Sequence, residues 1–183
     1  MARMPDCRRR GQAGYTLIEL MAVVAMIGIL AALAIAGYRR WIHYARTGET
    51  KDLINILSYG EDRYYKSFDG YLSCSGGYTD YYPVAPSSKK HQFHDPSNAD
   101  YDCFKLLAPG TTATTYMSFV VMAEGPGVAL PVPPTQQPLP APPQDKPWYV
   151  IFAAGDQDEN GVYQYLYATS KQPGEVHIEN DSE

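Results

Sequence analysis

Twenty-four consecutive residues, Tyr15 to Tyr38, carry a single charge, that of Glu19. As an α-helix this run would be about 36 Å long at ~1.5 Å per residue, more than the ~30 Å hydrocarbon core of a bilayer. A stretch so long and so apolar predicts a membrane helix. Arg3, Arg8, Arg9 and Arg10 precede it, set against Asp6 alone. The positive-inside rule therefore keeps this head cytoplasmic and sends the chain after Arg39 outward. A secretory signal has a shorter apolar core with small residues at a C-terminal cleavage site. Here the run is too long, and Gly14-Tyr15-Thr16-Leu17-Ile18-Glu19 stands at its start.

The carboxylate sets the main question. On insertion scales a charged residue at the centre of a membrane helix costs about 2.5–3.5 kcal/mol, so it persists where it finds a partner. One reading of Glu19 is a side chain that snorkels from the helix end to the interface. The other is a polar device that selects one helix alignment over its neighbours, as a single buried polar group does in a coiled coil.

The basic head, Gly14, the aromatic Tyr15, "TLIEL" and "VVAMIGILAALAIA" together resemble the class III signal of type IV pilins and type II secretion pseudopilins. The resemblance covers roughly residues 8–45. It implies cleavage by a prepilin peptidase after Gly14 and N-methylation of the new terminus at Tyr15. It also implies assembly through Glu19, whose partner would be the terminal amine of an adjacent subunit. Two positions depart from the pattern: Tyr15, where phenylalanine is usual, and Ala36, where major pilins usually carry a helix-kinking proline.

After Arg39 the pattern turns amphipathic without a breaker. Leu53, Ile56, Leu57, Gly60, Tyr64 and Phe68 recur at three- and four-residue steps, with Lys51, Asp52, Glu61, Asp62 and Lys66 expected off that face. The helix is expected to stop near Asp69-Gly70 by a left-handed glycine. Residues 70–110 read as a long irregular connection punctuated by Gly76-Gly77, Pro83, Pro86, Pro96 and Pro109. Strands are expected at 115–123, 148–154 and 162–168, with a further one at 175–178. Between the first two lies a proline-rich excursion, 125–147, which cannot enter a sheet interior. It reads as a stiff extended linker, with a docking or adhesive loop as the functional alternative.

The expected fold is therefore α+β: a long N-terminal helix, membrane-spanning in its first half and amphipathic in its second, packed on a small antiparallel sheet, the pilin layout. The segments are a basic leader at 1–14, a membrane half-helix at 15–38, an amphipathic half at 39–69 and a head at 70–183. In the last β-strand region, Tyr163, Tyr165 and Tyr167 share one face and Val162, Gln164, Leu166 and Ala168 the other. If the aliphatic face packs on the helix, the tyrosines either point outward for contacts or shield the sheet under the proline-rich loop.

Three side-chain groups invite a chemical reading. Cys74 and Cys103, the cysteines outside the basic head, are expected to form a disulfide in an oxidising compartment. The rival, a Cys2His2 zinc site with His91 and His94, matches no compact zinc spacing, and the two histidines read as solvated loop residues. Asp156, Asp158, Asn160 and Gly161 fit the first half of an EF-hand calcium loop, but Tyr167 stands where the bidentate glutamate belongs. What remains is a partial Ca2+ site or an ordinary Asn160-Gly161 hairpin turn.

The whole chain has a formal charge of −5; its first fourteen residues contribute +3, four arginines against one aspartate, leaving −8. Nucleic acid is thus not an expected partner, because phosphate binding needs clustered cations on the folded part. No nucleophile elbow or phosphate loop appears, so no enzyme is expected. The reading is a structural pilus subunit, major or minor, with a type II secretion pseudopilin as the alternative. It implies other pilin subunits, the prepilin peptidase and methyltransferase, and the inner-membrane assembly machinery as partners. The chain would pass from the bacterial inner membrane to a surface filament.

Overall fold

The structure is a computed structural model that describes residues 14–135, 138–157 and 159–180; the side chain of Ala36 is not described. The basic leader, residues 1–13, lies outside the described residues. Helix α1 runs from Leu17 to Phe68, and the chain divides into two compact units at Ile42 and His43. Gly37, Gly48 and Gly60 all stay helical, as does the backbone at Ala36.

In the first unit the apolar side chains have nothing over them. Leu17 is 77% exposed and Leu33 69% exposed, and Met21, Val24, Ile27 and Leu30 are open on other sides of the helix. By length and composition α1 contains a segment able to cross a membrane. Near the end of this unit, Tyr38 and Trp41 stack with ring centroids 6.3 Å apart, the aromatic pair expected where a helix leaves hydrocarbon for the interface.

The second unit is built on a four-stranded antiparallel meander, β3 (Ser118–Glu124), β4 (Trp148–Gly155), β5 (Gln164–Thr169) and β6 (His177–Glu179), in that spatial order. A two-stranded ribbon of β1 (His91–Gln92) and β2 (Thr114–Thr115) stands apart from it. The register sets Val121, Ile151 and Ala168 side by side, and next to them Val120, Phe152 and Tyr167. The first row packs with Leu53, Ile54 and Leu57 of α1 in one core. The second row joins Tyr78, Tyr81, Leu130 and Leu139 in a core on the opposite face. Both faces of β4 are therefore covered, and all eight of its residues are buried. That is why "WYVIFAAG" is apolar without alternation.

Several expectations change here. Residues 70–110 are not all irregular: Tyr101–Leu107 form a short helix, α2, whose Phe104 and Leu107 enter the helix-side core. The connector before it serves the open edge of β3. Cys74 N–H and Ser75 N–H both donate to Val121 O at 2.9 Å, and Tyr82 and Phe119 exchange backbone hydrogen bonds of 2.9 and 2.6 Å. An edge so covered has few free groups to pair with another chain.

The buried stripe of α1 is also shifted. Leu53, Leu57 and Gly60 face inward as expected, whereas Ile56 and Phe68 are exposed. Ile54 and Glu61 are fully buried in their place. Gly60 is where α1 touches α2: a Cβ there would lie 2.0 Å from Leu107 O and 2.7 Å from Leu107 C. Glycine is required by that approach. At the helix end Asp69 (φ 54), not Gly70, takes the left-handed position, and its N–H donates to Tyr65 O at 2.8 Å.

The aliphatic face of β5 meets the helix side. Leu166 and Ala168 are in the core with α1, while buried Gln164 accepts from Thr47 Oγ1 at 3.4 Å and lies 3.3 Å from His43 Nε2. Tyr165 and Tyr167 sit on the other face, Tyr165 beside Phe152 at 5.2 Å between centroids. They share that core with Leu130 and Leu139 of the proline-rich excursion, so they shield the sheet. The base of the excursion is pinned by Gly127 N–H to Pro143 O (2.7 Å) and Trp148 Nε1–H to Val128 O (2.9 Å). Val132 stays 91% exposed.

Candidate functional site: the start of helix α1

Gly14 precedes the helix outside any regular element, and a Cβ there would meet nothing within 4 Å. Three residues on, α1 begins with a reciprocal cap. The Thr16 N–H donates to Glu19 Oε2 at 2.9 Å and the Thr16 hydroxyl to the same oxygen at 2.7 Å. The Glu19 N–H donates back to Thr16 Oγ1 at 3.3 Å. This is a capping box, T-x-x-E, which satisfies two backbone donors that a helix start leaves open. An acidic group in the first turn also faces the positive end of the helix dipole. Both Thr16 donors go to Oε2, and Oε1 takes neither.

Neither sequence-level reading of Glu19 included this role, although the pattern Thr16-x-x-Glu19 before an apolar run was there to be read. The cap changes the chemistry of the carboxylate. It is held in one place at the rim of an apolar cylinder, with part of its hydrogen-bonding capacity used locally. A second, cationic donor would add a charge-assisted hydrogen bond, roughly twice as strong as a neutral one.

The other candidates separate clearly. Cys74 and Cys103 are joined by a disulfide, with Cα atoms 5.5 Å apart, so their sulfurs are not thiolate ligands and the zinc alternative falls. His91 Nε2 lies 3.1 Å from Ser87 Oγ. His94 is more than a solvated loop residue: its Nε2 is 2.8 Å from Ala108 O, and its ring sits edge-on to Tyr101. In the β4–β5 loop, Asp156 accepts the Asn160 N–H on Oδ1 and the Gly161 N–H on Oδ2, each at 3.1 Å. Asn160 Oδ1 accepts the Val162 N–H at 2.6 Å. These oxygens accept from the loop's own amides. Asp158, the remaining member of the calcium reading, lies outside the described residues. No group of three His, Cys, Asp or Glu side chains placed to hold a metal ion occurs among the described residues.

The family model described as a prokaryotic N-terminal methylation motif matches residues 9–35. A fimbrial protein of Moraxella nonliquefaciens is 55% identical over 46 residues, 25% of this chain and 30% of that protein. The type IV major fimbrial protein FimA of Dichelobacter nodosus is 58% identical over 46 residues, 25% of this chain and 29% of its own length. The fimbrial protein EcpC of Eikenella corrodens is 41% identical over 54 residues, 30% of this chain and 35% of that protein. The chain thus spans about a third or less of the curated relatives it matches. No solved structure matches. Over its matched segment, with the capped Glu19 at the head of an apolar helix, the chain carries the prokaryotic N-terminal methylation motif and is similar to the N-terminal part of type IV fimbrial proteins.

Proposed function

We propose that the chain is a structural subunit of a type IV pilus. It is cleaved after Gly14, methylated at Tyr15, and enters the filament through α1. The observation that carries this reading is the capped Glu19 at the start of a helix whose apolar sides are exposed all round. Such a surface suits two surroundings, lipid and other apolar helices, and a subunit must pass from one to the other. In lipid the Thr16 cap supplies donors to the carboxylate. In the filament the amine left at Tyr15 of a neighbouring subunit adds a cation, and the pairing fixes one stagger between helices. The leader, 1–14, stays cytoplasmic until it is removed, and the head from about residue 39 faces outward. The partners are accordingly other pilin subunits, the peptidase and methyltransferase, and the inner-membrane assembly machinery.

The pseudopilin alternative drew its support from the acidic loop at 156–161, whose described oxygens serve the turn, so the pilus reading is preferred. The fimbrial names of the relatives support a non-catalytic subunit. A tagged Glu19→Ala chain, as the only copy in the cell, tests the proposal. It should insert into the membrane as well as wild type, since an apolar residue is preferred in hydrocarbon, and be depleted from sheared surface filaments. Incorporation at the wild-type ratio would overturn the register role.

A further inference from the structure

Glu61 has no place in the assembly reading, yet it is the most unusual acid in the head. It is 0% exposed. Its Oε2 accepts the Leu72 N–H at 2.9 Å, across the helix end, and its Oε1 has no protein partner among the described residues. The preceding residue, Gly60, is pressed against the main chain of Leu107, so the helix cannot shift there without a backbone clash. The connector lies over the site: Tyr71 stacks on Tyr65 (4.8 Å between centroids) and meets Tyr149 edge-on (4.8 Å).

The titratable groups in electrostatic reach are all acids or phenols. Asp62 is on the same helix, Tyr71 and through it Tyr65 are at the connector, and Tyr149 is on β4. None is a cation. A carboxylate buried without a cation or a second donor loses its hydration with little in return, which favours the neutral acid.

We propose that the Glu61 carboxyl is a proton-operated latch: as the neutral acid it lets the connector close over the end of α1, and on losing its proton it drives that connector open to water, because an ion buried without a cation costs more than its stronger hydrogen bond from the Leu72 N–H returns. The connector is the part that can yield, because Tyr71 and Leu72 are only partly buried against the core and its ties to the sheet begin at Ser73, whose Oγ accepts the Ala123 N–H at 3.3 Å, and at Cys74 and Ser75 on Val121, whereas α1 lies against the main chain of Leu107 at Gly60. Burial first of all, with Asp62 adding to it, raises the Glu61 pKa from 4.5 to about 8, against the lowering effect of the Leu72 N–H. The folded head therefore holds a proton that the unfolded chain gives up above about pH 4.5. The contribution is fully present below that pH and is lost as pH rises toward about 8, by up to about tenfold in the folding constant per pH unit.

The test uses the full chain in detergent, unfolded thermally between pH 5 and 9, beside Glu61→Gln. The glutamine is isosteric, cannot ionise, and keeps an oxygen for the Leu72 N–H. Wild type should lose melting temperature through the window relative to the variant. Parallel profiles would overturn the latch. Should Glu61→Gln not fold, amide hydrogen exchange on wild type decides. Protection factors in residues 70–73, corrected for intrinsic exchange, should fall at least tenfold between pH 6 and 9, while those in β4 change less. An unchanged connector would overturn the proposal equally.

Discussion

Replacing Gly60 by alanine tests the packing of the head most sharply, because the same helix carries its own control. At Gly60 the new methyl would sit 2.0 Å from Leu107 O and 2.8 Å from Leu107 Cα, where ordinary contact begins at 3.4 Å. Both clashing partners are backbone, so no rotamer change relieves them. α1 and α2 would have to separate by roughly 1.4 Å, the difference between 3.4 Å and the 2.0 Å to Leu107 O. A gap of even ~0.5–1 Å forfeits a quarter to a half of the dispersion energy of the contacts it opens. Here those contacts belong to Leu57, Phe104 and Leu107. Overpacking of this kind costs about 1–3 kcal/mol, and the absence of a flexible partner argues for the upper end. Alanine returns up to about 1 kcal/mol in helix propensity, leaving a net loss of about 2 kcal/mol. For a chain of this size that is a fall in Tm of roughly 4–8 °C. At Gly48 a Cβ would meet nothing within 4 Å, so Gly48→Ala should keep the propensity gain and raise Tm by roughly 1–4 °C. Circular dichroism melts of the full chain in detergent at one fixed pH measure both. A Gly60→Ala chain that melts at or above wild type would refute the close approach of α1 to α2.

Two further perturbations address the loops. The Cys74–Cys103 bond closes a sequence separation of 29 residues, worth about 3–4 kcal/mol on the chain-entropy model. Cys74→Ser with Cys103→Ser should therefore lower Tm by roughly 6–16 °C, and an unchanged Tm would contradict it. Asp156→Ala removes the acceptor for the Asn160 and Gly161 amides and should destabilise by about 1–2 kcal/mol, equally in calcium and in chelator. A calcium-dependent rise in wild-type Tm that the variant lacks would instead establish an ion site in this loop.

How far the sequence could be read followed from how local each signal was. The membrane-length helix depends on a run of residues needing no partner to be recognised. β4 was equally plain, since eight apolar residues between a proline-rich segment and an acidic turn have few other uses. α2 was missed because seven residues lying between Pro96 and Pro109 look like loop, and its worth lies in Phe104 and Leu107 reaching a distant core. Glu61 follows Ile54 and Leu57 at helical spacing, so the stripe points to it, but a glutamate ordinarily faces solvent. Only the connector that folds over it makes it buried. The helix stop moved by one residue, because Asp69 tolerates the left-handed conformation that glycine was expected to supply. At the candidate site the sequence motif draws attention to Gly14, Tyr15 and Glu19, whereas the cap from Thr16 is a local hydrogen-bond pattern that the motif does not name.

The central claim is that α1 enters a filament as the processed N-terminus of a pilus subunit. Intact-mass and N-terminal peptide spectrometry of the chain recovered from sheared surface filaments tests it most directly. The account predicts a chain that lacks residues 1–14 and begins at Tyr15 with one added methyl group. A chain in the filaments that begins anywhere else, or a processed chain found in the membrane and never in the filaments, would contradict it.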